Sequence, residues 1–216
     1  LFNETNIGKK HREDFLILIA IFFFSTILFF SIQDTSYINT LFNVVSSLSN
    51  SGLTFDAPPK NFYLFFIFLT IIGGSVISNS SGIKLLRLYI LFKSTVFEIF
   101  RLVSPNVVID QRILRTEHKI NNENLNSSFL IFICFFISFF ILSSILSTGG
   151  LNFETSFKLS ILTITNTVNS KLYGIADVDF SNLLTSSKIF IILFMVIGKI
   201  ELISLFLIIK KIISRN

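Results

Sequence analysis

Two tracts in this chain are polar where their neighbours are not: "SNSGLTF" at 49–55 and "NTVNSKLYG" at 166–174. Neither holds a set of side chains suited to bond-making chemistry, so the groups that matter are backbone carbonyls. A short helix followed by an exposed row of carbonyls can replace the water around a cation, which is how cation filters are built. On that reading Asn50, Ser51, Gly52 and Leu53 form one carbonyl row, and Thr167, Val168, Asn169 and Ser170 a second. The alternative for each tract is a plain extracellular loop after an amphipathic turn, and finding the arrangement twice favours the filter.

Other chemistry finds little support. The chain lacks paired carboxylates in an accessible cleft, a Ser/His/Asp set and a phosphate-cradling glycine loop after a strand, so no enzyme is expected. Its two histidines, His11 and His118, lie in separate charged segments, so no histidine metal site is expected either. The single Cys134 lies within an apolar run and reads as a small hydrophobe. No covalent cofactor is expected.

The elements around the tracts are those of a membrane protein. Hydrophobic residues make up 51% of the chain and charged ones 14%, with 28 Phe and a mean hydropathy of +0.74. Segments 15–32, 128–147 and 187–209 each suffice to cross about 30 Å of hydrocarbon. A fourth, 61–100, would make a rod of roughly 60 Å at about 1.5 Å per residue. Its middle, "IIGGSVISNSSGIK" (71–84), is rich in small and polar residues and predicts a break. Between the spans, 39–50 and 155–167 carry apolar periodicity too short to cross, as re-entrant half-helices do. The expected fold is therefore all-α, with two span–pore-helix–span units at 1–100 and 128–216 joined by a linker at 101–127. The first span, preceded by charges of both signs and followed by no small-residue cleavage site, reads as retained rather than as a signal peptide.

Charge placement predicts orientation. Of 18 Lys and Arg, 13 fall in 1–14, 84–127 and 210–216, against four in 33–60 and 148–188, which places both termini and the linker in the cytoplasm. The net charge of +5 then serves topology and anionic lipid rather than nucleic acid. Lys84 and Arg87 read as interfacial charges. Lys199 and Glu201 sit inside the last span, where an ionisable residue faces a cavity or a partner more often than lipid. Gly73, Gly74 and Gly82, with Ser78, Asn79, Ser80 and Ser81 between, permit either a mobile gate loop under the filter or a passive kink.

Taken together, these motifs resemble the TrkH-type subunits of the Trk/Ktr/HKT superfamily of potassium-transporting membrane proteins. "FNVVSSLSNSGLTF" is similar to the third pore helix and filter, with Gly52 at the filter glycine, and "GGSVISNSSGIKLLR" (73–87) to the broken inner helix of that repeat. "RLVSPNVVI" (101–109) resembles the cytoplasmic linker, "STGGLNFETSF" (147–157) the entry to the fourth repeat, and "MVIGKIEL" (195–202) its inner helix. The resemblance implies K⁺ as the transported ion at the filter carbonyls, with Na⁺ or H⁺ as coupling ions, in a multi-pass protein of the cell inner membrane. It also implies a homodimer with a soluble nucleotide-binding gating ring of the TrkA type on the cytoplasmic face. Lys199 stands where the family carries Arg and would act as an electrostatic barrier below the filter, unless it snorkels to the surface. The chain departs from the pattern in two places. Asn169-Ser170-Lys171 replaces the fourth filter's glycine and following Pro-Gly, and Asn79-Ser80-Ser81 replaces smaller residues in the gate. Two other functions fit the same residues: a non-conducting or assembly subunit with a degenerate fourth filter, and a nonselective monovalent cation channel.

Overall fold

A computed structural model describes residues 12–32, 35–75, 78, 80–104, 122–167, 170–175, 178 and 180–199. Seven α-helices run through them: α1 (Arg12–Ser31), α2 (Tyr37–Leu48), α3 (Tyr63–Ile72), α4 (Leu85–Val103), α5 (Asn122–Thr148), α6 (Phe153–Ile164) and α7 (Thr185–Lys199). No strand occurs among the described residues.

The helices sort by length. Among the described residues α5 alone is long and apolar enough to cross a bilayer by itself, with 27 residues and a mean hydropathy of 2.8 over its most apolar 18. The apolar stretches Phe15–Ser31 and Lys60–Ile72 are shorter. The expected span 187–209 is described only to Lys199, and most of the linker lies outside the described residues. α2 and α6 have 12 residues each, about 18 Å, too short to cross. Both begin and end two or three residues before the 39–50 and 155–167 read from periodicity, because the last residues of those windows turn out to be caps.

The long helices carry apolar side chains on their outward faces. Phe22, Phe23 and Phe30 on α1, Phe136 and Phe140 on α5, and Ile189 and Ile192 on α7 are all exposed. Water would penalise such continuous apolar belts, whereas lipid would not. The interior is one connected cluster: Val44 and Leu48 of α2, Phe66 and Leu69 of α3, Leu142 and Leu146 of α5, and Leu162 of α6 are buried together. α1 packs on α2, α5 on α6, and α3 touches both short helices, so the ends of α2 and α6 are held inside the assembly. Polar contacts fix the corners. Ser25, fully buried in α1, lies 3.2 Å from the Tyr37 hydroxyl at the start of α2.

The 61–100 segment is broken as its composition predicts. α3 stops at Ile72 and α4 resumes at Leu85. In between, the chain crosses itself: Ile83 N–H donates to Ile71 O at 3.0 Å and Leu85 N–H to Gly74 O at 3.2 Å. Glycine is needed at that crossing. A Cβ on Gly73 (φ +66) would stand 2.5 Å from Ser81 O, and one on Gly82 (φ +95) 2.9 Å from the carbonyls of Thr70 and Ile71.

Candidate filter and gate loop

α2 and α6 end in the same way. Ser49 N–H donates to Val45 O (2.9 Å), Asn50 N–H to Ser47 O (3.1 Å) and Ser51 N–H to Ser46 O (3.0 Å). At the end of α6, Thr165 N–H donates to Ile161 O (2.9 Å), Asn166 N–H to Thr163 O (3.1 Å) and Thr167 N–H to Leu162 O (2.9 Å). Each bond has its counterpart 116 positions later, matching the helix starts at 37 and 153. Asn50 and Asn166 are both left-handed, with φ of 59° and 52°. Asn is among the few non-glycine residues that tolerate this region, and the conformation turns the chain off the helix axis.

Beyond the first cap the tract folds back along α2. Leu53 O accepts from Ser46 Oγ at 2.6 Å, and Ser51 Oγ is 2.9 Å from Ser46 Oγ. The Thr54 hydroxyl lies 2.8 Å from Asn43 Oδ1 and 2.6 Å from Asp56 O, serving one at a time, while Asn39 Nδ2 donates to Asp56 Oδ2 at 2.8 Å. Asn39, Asn43 and Ser46 are spaced four and three apart, a single stripe of α2. This stripe holds 51–56 beside the helix, with Gly52 buried at φ 71° and Leu53 exposed. The Asn50, Ser51, Gly52 and Leu53 set is therefore brought together, one lone pair of Leu53 O being already used.

The second tract lacks that stripe, since the positions 116 residues on are Thr155, Leu159 and Leu162. Thr167 is buried and its hydroxyl is 2.8 Å from that of Thr165, and Ser170 Oγ accepts from Leu172 N–H at 3.2 Å. Val168 and Asn169, whose carbonyls are expected in the second row, lie outside the described residues, as does Glu201. Lys171 opens a short 3₁₀ turn, Lys171–Tyr173, and is exposed; that turn packs on α3.

The loop between α3 and α4 lies beneath both caps. Gly74 N–H donates to Ser80 Oγ at 3.0 Å, and Ser78 Oγ and Ser80 Oγ are 2.6 Å apart. Asn50 Nδ2 donates to Ser81 O at 2.8 Å. Asn166 Nδ2 donates to Met195 O on α7 at 2.9 Å and makes a long 3.5 Å contact with Ser81 Oγ. Of the expected gate residues, Gly73, Gly74, Ser78, Ser80, Ser81 and Gly82 thus form one structure; Asn79 lies outside the described residues.

Lys199 ends α7 and is exposed, yet it lines a cavity of about 120 Å³ with Ser78, Ser80, Ser81, Lys84 and Arg87. Lys84 corrects the interfacial reading. It is only 5% exposed, with φ 72°, because the crossing at 81–85 draws it under the loop. The sequence carried no local sign of this burial. The asparagine contacts to the loop were also missed, although a signal existed: Leu48-Ser49-Asn50-Ser51 and Ile164-Thr165-Asn166-Thr167 repeat an apolar, hydroxyl, Asn, hydroxyl pattern.

Two capped short helices facing one broken helix, among long helices with apolar outer faces, define an all-helical fold suited to a lipid surround. The crystal structure of the potassium transporter TrkH from Vibrio parahaemolyticus has this fold: it aligns with 92% of the chain at a TM-score of 0.76 and 20% identity, the chain covering 43% of it. In sequence the chain is 28% identical over 173 residues to the Trk system potassium uptake protein TrkG of Escherichia coli K12, covering 77% of this chain and 34% of that protein. It is also 26% identical over 175 residues to an uncharacterized cation transporter of Methanocaldococcus jannaschii, covering 73% of this chain and 36% of that one. No family model matches the chain. The chain spans about a third of the length of these curated relatives. The resemblance read from the motifs is borne out: the chain is TrkH-like in fold and similar in sequence to Trk-type transporters, which are ion transporters and not enzymes.

Proposed function

We propose that the chain supplies two span–pore-helix–span units, 1–100 and 128–216 joined by 101–127, of a potassium uptake pore in the cell inner membrane. What supports this reading is the matched pair of helix ends at Asn50 and Asn166, each turning the chain off its helix axis beside one loop. Irregular backbone at membrane depth persists only where it is buried in protein or lines a path for water or ions. The carbonyls of 50–53 and 167–170 replace the hydration of K⁺, the ion named for TrkG and TrkH. The loop at 73–82 obstructs the path below, with Lys199 as a charge barrier beside it. Coupling to Na⁺ or H⁺, a homodimeric assembly and a nucleotide-binding gating ring on the cytoplasmic face complete the proposal.

The test is at Gly52. A β-branched side chain is strongly disfavoured at a φ of 71°, so Gly52→Val in the full-length protein displaces the carbonyl row. Rubidium uptake per membrane-inserted protein should fall at least tenfold. Uptake equal to the parent's would reject the filter.

One observation favours a second reading. The polar stripe that braces the first tract is apolar at two of its three counterparts on α6, and Lys171 follows the second tract. A non-conducting or assembly subunit would tolerate both, and it predicts no rubidium uptake by a parent protein that inserts normally.

A further inference from the structure

Asn50 and Asn166 do more than their backbone conformation requires. Glycine would adopt a φ near 55° more easily than asparagine, so the amide side chain needs its own explanation. Each amide leaves the half-helix that bears it. Asn50 Nδ2 reaches the loop at Ser81 O (2.8 Å), and Asn166 Nδ2 reaches α7 at Met195 O (2.9 Å) with Ser81 Oγ at 3.5 Å. Ser81 O and Met195 O are carbonyl oxygens, so in both residues the donating nitrogen must be the end that faces them. α7 is seated by the same cap: a Cβ on Gly198 would stand 2.0 Å from Ile164 O.

Resting on the pore reading, we propose that Asn50 and Asn166 are positioning residues that fasten the 73–84 loop to the feet of both half-helices. Moving the loop then disturbs the backbone that aims the filter carbonyls. The fastening is built to release. Asn50 is buried, and its Oδ1 has no partner among the described residues, so the amide is held at one end alone. Unfastening costs one hydrogen bond rather than two. Asparagine is the side chain that both accepts the left-handed turn and carries an amide one carbon beyond Cβ. Glycine meets the first need and not the second.

That difference supplies the test. In the full-length protein, Asn50→Gly keeps the backbone relaxed and removes only the amide. Hydrogen–deuterium exchange at the amides of Ile83 and Leu85, which close the loop, should quicken about fivefold, the effect of losing one net hydrogen bond. Asn166→Gly should quicken the same amides less, its loop contact being the longer. Rubidium uptake measured on the same samples separates the two levels. Faster exchange in Asn50→Gly, beside a parent that inserts but takes up no rubidium, would keep the fastening and reject the pore, whereas unchanged exchange beside a parent that takes up rubidium would reject the fastening and keep the pore. Should Asn50→Gly fail to accumulate folded, Asn50→Asp sets a carboxylate against the Ser81 carbonyl and decides the matter by the same exchange rates: unchanged rates overturn the proposal.

Discussion

Lys84, Arg87 and Lys199 border one cavity beneath the loop, so on the proposed pore reading a cation on this path would pass three basic side chains. At an effective dielectric near 20, one unit charge about 8 Å away opposes it by about 2 kcal/mol. Neutralising Lys199 should therefore raise rubidium uptake per inserted protein several-fold in Lys199→Gln. An uptake equal to or below the parent's would remove Lys199 from the ion path. Of these three, Lys199 could be singled out in the sequence, because a charge within an apolar run is conspicuous. Lys84 could not. It follows "SSGI" at the edge of a span, where lysines ordinarily snorkel to the surface, and its burial depends on Ile83 and Leu85 closing a loop back onto α3.

α6 shows how an element keeps a charge inside. Lys158 is 8% exposed and bonds Glu154 Oε1 at 2.5 Å one turn earlier, while its Nζ stands 5.4 Å from the Tyr63 ring centroid on α3. Glu154 lies exposed at the mouth of the helix. The hydrogen bond from Lys158, and then its charge, hold the carboxyl below the ordinary range. A carboxylate so shifted contributes stability above its unfolded pKa of about 4.3 and loses it as pH falls through the lower folded value. Detergent-solubilised protein should lose thermal stability across that acid window, and Glu154→Gln should flatten the dependence while lowering Tm at pH 7. Lys158→Met, which removes the buried charge with little change of volume, should leave Tm level or higher. A Glu154→Gln variant with the parent's pH profile would assign the dependence to other carboxylates. The existence of α2 and α6 was legible from a dozen residues of apolar periodicity. Their ends were not, because periodicity runs on through Ser49-Asn50 and Thr165-Asn166, where the left-handed turn has already left the helix.

At the scale of the molecule, the sequence carried the architecture because bilayer physics is written in composition. Runs of Phe, Ile and Leu mark α1, α5 and α7, and the glycines of 71–84 mark the break. What it could not carry was which elements meet, such as the convergence of Asn50 and Asn166 on one loop, since those contacts join residues 31 and 85 positions apart. Orientation remains a question of charge. Basic residues concentrate at 1–14, 84–127 and 210–216, and lysine and arginine are retained on the cytoplasmic side during insertion. Asn61, exposed before α3, should then face outward, and Asn122, exposed at the start of α5, inward. With the native Cys134 replaced by Ser, a cysteine at Asn61 should react with an impermeant thiol reagent in intact cells, and one at Asn122 only after permeabilisation. The opposite pattern would invert the protein in the membrane. It would set the cavity of Lys84 and Lys199 on the outer side, where a cytoplasmic ring could not govern the loop.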